Sequence, residues 1–279
     1  MNIFSKRGKN RLDRIIQKGV LCAFDFDGTL CPIVSRKEDA RLSEATSERL
    51  AILSELTPVA IITGRSLDDI LPRLTFSPAY LVGNHGLEGI PGWENHCSDY
   101  RSLCTNWERA VRNALPEWPC SIDDIEIENK QYSLAVHFRH TADPEETGRQ
   151  LLPLLQETAP DARLVGGKCT FSLVPPDGPN KGTALSELMK ISQTPSAIYV
   201  GDDVTDEDVF RLRRSNLVSI RVEKSPDTAA NWHIEKQEDM IHLLDNLISR
   251  IKSFQLPSAV PPRRAGQPST ALTLINTSP

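Results

Sequence analysis

The sequence predicts an α/β protein: a Rossmann-like, parallel-sheet core into which a smaller α+β domain is inserted. Two observations carry that reading. Short apolar runs, ending in polar or glycine-rich turns, recur at 20–23 (VLCA), 58–62 (PVAII), 79–82 (AYLV), 197–200 (AIYV) and 217–222 (LVSIRV). Runs of that length suit strands buried on both faces, and strand-then-helix repetition predicts a parallel sheet covered by helices. The repetition stops after about residue 93 and resumes near 177; between them residues such as 132–138 (YSLAVHF) alternate with a period of two. That alternation marks an antiparallel sheet with one face turned to solvent or to a ligand. The expected organisation is a core at 1–96 and 177–254, an inserted domain at 97–176 and a tail at 255–279.

Taken in order, residues 9–18 (KNRLDRIIQK) read as a short amphipathic helix feeding the first strand. Ser43 caps a helix reaching Leu56, with Leu50, Leu53 and Leu56 at helical spacing. Ser66 caps the next, from Leu67 to Leu74. In the insertion, a helix carrying Trp107 and Val111 on one face runs to Leu115, and another is expected at 144–158. Strands are expected there at 123–128, 132–138, 162–165 and 169–174. Asn180, Lys181 and Gly182 open a helix to Met189, and 237–253 form the last one. Beyond residue 255 Pro and Ser accumulate without periodicity, which predicts a disordered tail.

Composition narrows the classes of function. Hydrophobic content of 39% and charged content of 25% are ordinary for a soluble globular chain. A formal charge of -5 gives no reason to expect nucleic acid or an anionic membrane as partner. No apolar run approaches the length of a membrane span. The start, MNIFSKRGKNRLDRII, is basic but lacks the apolar stretch and cleavage site of a secretory signal. None of the six cysteines forms a C-x-x-C pair, so reduced thiols and a cytoplasmic location are expected. The expected partner is a small molecule.

Chemistry gathers where the predicted strands end. The stretch Phe24-Asp25-Phe26-Asp27-Gly28-Thr29-Leu30 places two carboxylates, one residue apart, after a buried strand and at a Gly-Thr turn. A carboxylate there can attack phosphorus and carry an acyl phosphate, while the second, in a different environment, moves protons. A calcium loop is a poor alternative, since no Glu follows at the spacing such a loop needs. Thr63 and Gly64 end the second strand, offering a hydroxyl and main-chain N–H groups to a phosphoryl oxygen. Lys181 opens a helix, so its ammonium and the helix N-terminus can both face an anion. Asp202 and Asp203 form a hard, anionic oxygen site that, with Asp25, suits Mg²⁺. Singly, each has an ordinary explanation: a strand end, a solvated lysine, acids complementing a helix dipole. Their occurrence at successive ends of one sheet favours function.

That order resembles the haloacid dehalogenase superfamily of phosphatases. DFDGTL is similar to its first motif, ITG (62–64) to its second, Lys181 to its third and GDDVTDED (201–208) to its fourth. Within it the chain is most similar to the trehalose-6-phosphate phosphatases, over roughly residues 20–250, and GNHGLE (83–88) adds to the match. The resemblance implies a Mg²⁺-dependent hydrolase with a core and an inserted cap. It makes Asp25 the nucleophile and Asp27 the acid/base, with Thr63 and Lys181 completing the catalytic set. Mg²⁺ would be held by the Asp25 side chain, the Asp27 carbonyl and Asp202, supported by Asp203 and Asp206. Substrate contacts are expected from Gly64, Arg65, Asn84, His85 and Asn180 in the core, and from Glu128, Lys130, Arg139 and Lys168 in the cap. Ser133 and His137 also fit the cap pattern. One element departs: where the family shows Glu-x-Arg-Pro, this chain has Ser172, Leu173, Val174 and Pro175. The leading expectation is therefore a trehalose 6-phosphate phosphatase. The alternatives are a phosphatase of a related glycosyl phosphate, such as glucosylglycerol phosphate, a sugar phosphomutase, or a non-catalytic sugar-phosphate sensor.

Overall fold

Residues 1–93, 99–117 and 124–255 are described by a computed structural model of the chain. The tail beyond 255, the boundary at 96/97, Cys97, Cys120 and the first residue of the strand expected at 123–128 lie outside them. Among the described residues the strands are β1 (Val20–Phe24), β2 (Val59–Ile62), β3 (Tyr80–Val82), β4 (Glu126–Asn129) and β5 (Leu134–His137). They continue as β6 (Arg163–Gly167), β7 (Thr170–Val174), β8 (Ser196–Gly201), β9 (Leu217–Val222) and β10 (Trp232–Ile234). The α-helices are α1 (Lys6–Ile16), α2 (Glu44–Leu56), α3 (Leu67–Ile70), α4 (Tyr100–Ala114), α5 (Pro144–Thr158), α6 (Lys181–Ile191), α7 (Glu207–Phe210) and α8 (Met240–Gln255).

Six strands in the order β10-β9-β8-β1-β2-β3 form a parallel sheet. Every residue of β1 is buried, because successive side chains enter cores on opposite faces. Val20, Cys22 and Phe24 pack with Leu12 and Ile16 of α1, Leu50 and Leu53 of α2, and Leu244 and Leu247 of α8. Leu21 and Ala23 pack on the other side with Leu185 and Leu188 of α6. The apolar runs were thus legible as doubly covered strands. In such a sheet the loops at the carboxyl ends of the strands meet along one edge.

The second sheet is antiparallel, in the order β4-β5-β7-β6. Its alternation separates packing from exposure. Leu134 and Val136 of β5 and Leu173 of β7 join Trp107 and Val111 of α4 and Leu151 and Leu155 of α5 in a separate core. The register sets Glu128 opposite Ala135, Ala135 opposite Ser172, and Val165 opposite Ser172, so these four share the other face. The predicted fold class, a parallel α/β core with an additional α+β unit, is the one observed.

Some elements differ from the sequence expectation. The first helix starts three residues earlier than its amphipathic pattern suggested, because the Ser5 side chain caps it by accepting from Gly8 N–H. The helix expected at 67–74 is four residues of α3 followed by a 3₁₀ turn over Leu71–Arg73, since Pro72 cannot continue the ladder. The last helix is likewise preceded by a 3₁₀ turn at Gln237–Asp239. Strand β10 was not anticipated. It is three residues long, and its outer edge is covered by the N-terminal residues, Ile3 N–H donating to the His233 carbonyl and His233 N–H to the Met1 carbonyl.

The fully buried Leu151 is central to the second core. Leu151→Ala is expected to cost about 2–5 kcal/mol through lost burial and a residual cavity. The check is a lower urea midpoint at unchanged slope.

Candidate active site

The site begins with a lysine out of water. Lys181, the first residue of α6, is 2% exposed, and its Nζ lies 2.8 Å from Asp25 Oδ1 and 2.8 Å from Asp206 Oδ1. Asn180 aims it by capping the helix: its side-chain oxygen accepts from Thr183 N–H at 2.9 Å. Asp25 follows β1, where its N–H donates to the Val200 carbonyl of β8, and it is 4% exposed. Asp206 is wholly buried. Besides Lys181 it accepts from Tyr199 Oη at 2.6 Å and from the N–H groups of Asp202 and Asp203, both at 2.9 Å. Its lone pairs are thereby used, so it shapes the loop rather than offering a free ligand. Asp202 accepts from Thr29 Oγ1 at 3.1 Å. Gly28 makes room for it: φ is +79°, and a Cβ there would collide with the Asp202 carboxylate.

Oxygens of Asp25, Asp202 and Asp206 lie within 4.8 Å of one another. One ammonium does not balance three carboxylates in a dry site. Burial raises the Asp25 carboxyl well above its ordinary value; Lys181 opposes this, while Asp206 and Asp202 add to it. Burial, then repulsion from Asp206 and Asp203, pushes Asp202 up to about 7. These donors fit a hard divalent cation, with Asp25 and Asp202 free to ligate and Asp203 at the edge of the cleft.

On the other side of Asp25, Asp27 faces Arg65. Both Asp27 oxygens accept from it, Oδ2 from Nε at 2.6 Å and Oδ1 from Nη2 at 2.7 Å. Arg65 is 8% exposed, donates also to Asp69 and to the Lys37 carbonyl, and lies against the Phe26 ring. Its donors are committed within the protein, so it positions Asp27 in this structure. Thr63 is buried at the end of β2, and its Oγ accepts from Arg65 N–H at 3.2 Å. The His85 ring lies against Gly64 so closely that a Cβ at 64 would overlap it. Burial, followed by repulsion from Lys181 and Lys130, drives the His85 imidazole well below its ordinary pKa, keeping it neutral.

A cleft of about 770 Å³ joins these groups to the face of the second sheet. Glu128 lies 3.1 Å from His137 Nε2 and 3.0 Å from Lys37 Nζ. Burial works against its charge, but His137, Lys130 and Lys37 hold it well below the usual carboxylate range. Lys130 Nζ donates to the Gly64 carbonyl at 3.0 Å, and Arg139 Nη1 donates to the Val34 carbonyl at 2.7 Å. Lys168 is exposed at the rim.

The cleft therefore brings together Asp25, Asp27, Thr63, Gly64, Arg65, His85, Glu128, Lys130, Arg139, Lys168, Lys181, Asp202 and Asp203. Asn84, Asn180 and Asp206 do not line it. Asn84 is buried, donating to Glu88 and to the Lys130 carbonyl and accepting from Ser133 Oγ, so it ties the two sheets together. Asn180 is the helix cap described above. Lys37, Glu126 and Tyr199 escaped the sequence reading; only Tyr199, a hydroxyl in an otherwise apolar run before the acidic loop, carried a local signal.

The family model for trehalose-phosphatase matches residues 23–239. This chain belongs to that family. A trehalose 6-phosphate phosphatase of Zea mays is 29% identical over 257 residues, covering 84% of this chain and 71% of the relative. An uncharacterised glycosyl hydrolase of Mycobacterium tuberculosis is 30% identical over 239 residues, 80% of this chain but 18% of that protein. Among solved structures, the C-terminal domain of the Candida albicans trehalose-6-phosphate phosphatase matches with a TM-score of 0.72 at 22% identity, covering 86% of this chain and 96% of that one. The sucrose-phosphatase of Synechocystis matches at 0.52 and 18% identity, covering 82% and 98%. At those identities the structural likeness concerns the fold. Membership makes the chain a phosphoric monoester hydrolase.

Asp202 supplies a direct test of the cation site. Its pKa is higher folded than unfolded, so its ionisation weakens the metal-free fold as pH rises from about 4 towards 7. Mg²⁺ is expected to raise the melting temperature of the wild type at pH 8. Asp202→Asn is expected to match or exceed the metal-free wild type there while losing most of the rise with Mg²⁺, as read by thermal shift.

Proposed function

We propose that this enzyme hydrolyses trehalose 6-phosphate to trehalose and inorganic phosphate, through an aspartyl phosphate on Asp25 and with Mg²⁺ as cofactor. The observation that carries the reading is Asp25 itself: a buried carboxylate held by Lys181 at the floor of a cleft whose opposite wall presents Glu128 and Lys130. In this reading residues 97–176 act as a cap over the core at 1–96 and 177–254. The substrate's phosphoryl group meets Asp25 between Thr63, the Gly64 main chain and Lys181. One Asp25 oxygen forms a bond to phosphorus as the bond to the sugar oxygen breaks, and Asp27, turned away from Arg65 and protonated, gives the sugar oxygen a proton. Asp27 then takes a proton from the water that attacks the acyl phosphate, freeing phosphate and restoring Asp25. A divalent cation held by Asp25, Asp202 and the Asp27 carbonyl would neutralise phosphoryl charge during both displacements.

In this reading Glu128 accepts from and Lys130 donates to sugar hydroxyls, with Arg139 and Lys168 as further contacts; all four line the cleft. No helix among the described residues is long and apolar enough to cross a membrane. Cys22, Cys31, Cys104 and Cys169 are free thiols among the described residues.

One observation favours a second reading. Ser172 stands on the cleft wall where the family has a carboxylate, which leaves room for a related glycosyl phosphate. Phosphate release across a panel of sugar phosphates with Mg²⁺ decides between them, and isomerised sugar phosphate without phosphate release would indicate a mutase. Asp25→Asn is expected to reduce turnover to near background while the melting temperature stays close to wild type. Ser172→Glu adds a hydroxyl acceptor. If a related glycosyl phosphate is the native substrate, this change is expected to raise kcat/KM for trehalose 6-phosphate selectively, by about ten-fold for one good charged hydrogen bond.

A further inference from the structure

Lys37 belongs to none of the motifs above, yet its side chain spans the cleft. It lies in the 3₁₀ turn Lys37–Asp39 of the loop that follows the first strand-end motif. Its Nζ is 3.1 Å from Glu126 Oε1 and 3.0 Å from Glu128 Oε1. Those acids are two residues apart on the edge strand β4, so they share a face and flank a single ammonium. Although burial works against it, Glu128 and Glu126 hold the Lys37 ammonium above its ordinary pKa. At its other end the Lys37 carbonyl accepts from Arg65 Nη2 at 3.1 Å, the same nitrogen that donates to Asp27.

The ion pair contributes little to folding. Lys37 and Glu126 are 34% and 59% exposed, and ion pairs that open to water are worth little. Its consequence lies in the cleft. Next to Glu128 the same sheet face carries Ala135, Ser172 and Val165, none of them charged. On this part of the face the acids for a hydroxyl-rich group are Glu126 and Glu128, which stand together with Lys37 at the β4 edge. A hydroxyl there can donate to a carboxylate and accept from the ammonium at once.

We propose that Lys37 is a specificity-determining residue, which with Glu126 and Glu128 forms a charged clamp for the hydroxyl-rich part of the substrate distal to its phosphate. The inference rests on the reading of the enzyme as a sugar phosphatase. It is tested with Lys37→Met, Lys37→Arg and Lys37→Met combined with Glu126→Gln, each assayed on the best sugar phosphate of the panel and on p-nitrophenyl phosphate. Lys37→Met leaves the main-chain bond to Arg65 in place. It is expected to raise KM for the sugar phosphate about five-fold more than KM for p-nitrophenyl phosphate, with the larger share of the loss in KM rather than kcat. Lys37→Arg is expected to recover most of that loss, and Glu126→Gln to add little to Lys37→Met, since the two act together. Equal losses on both substrates would make Lys37 a support of the Arg65–Asp27 pair and overturn the clamp. An unchanged KM for the sugar phosphate in Lys37→Met would overturn it as well. Wild-type turnover of p-nitrophenyl phosphate with no sugar phosphate accepted would instead overturn the sugar-phosphatase reading on which the clamp rests.

Discussion

The structure depends on one buried ammonium. Lys181 is 2% exposed and lies between two carboxylates, Asp25 and Asp206, that are nearly or wholly out of water. Transfer of such charges from water costs several kcal/mol per ion, so the ammonium is tolerable only with carboxylate partners in place. That requirement joins the end of β1, the start of α6 and the loop after β8, segments far apart in the chain. It also leaves the site short of positive charge. With Asp202 alongside, three acids face one lysine, and the Asp25 carboxyl is driven up by burial and by its neighbours. In the proposed mechanism this carboxylate is the nucleophile, and a cation bound beside it would favour its ionised form by electrostatics.

What was legible in the sequence follows from the same physics. Apolar runs at 20–23, 58–62 and 197–200 announced doubly covered strands, because a strand buried on both faces has no polar side to show. The alternation at 132–138 announced a sheet with one packed face. Residues at strand ends could be placed because the parallel topology carries those ends to one edge. Partnerships between loops were not legible. Nothing local to Arg65 says that both Asp27 oxygens are its partners, and nothing local to Asn84 says that it will bind Glu88 and the Lys130 carbonyl. The Ser66 cap announced where the helix at 67–74 begins but not where it ends, which Pro72 decides. The cap provided by Ser5 was missed because it precedes the amphipathic pattern.

The two sheets divide the labour of a phosphatase along a line set by side-chain alternation. In the core, the groups around Asp25 are locked to one another: Tyr199 to Asp206, Asp206 to the amides of 202 and 203, Thr29 to Asp202. Changing one leaves a buried polar group without a partner, which costs more than a typical hydrogen bond contributes. The second sheet is built differently. Leu134, Val136 and Leu173 hold it to its helices, while Ala135, Ser172 and Val165 occupy the opposite face and contribute nothing to that core. A residue such as 172 can therefore be exchanged without removing a side chain from that core. If the clamp proposed above operates, selectivity falls to charged groups that reach the cleft beside that exchangeable face, and Glu126 and Glu128 on the edge strand β4 meet Lys37 there.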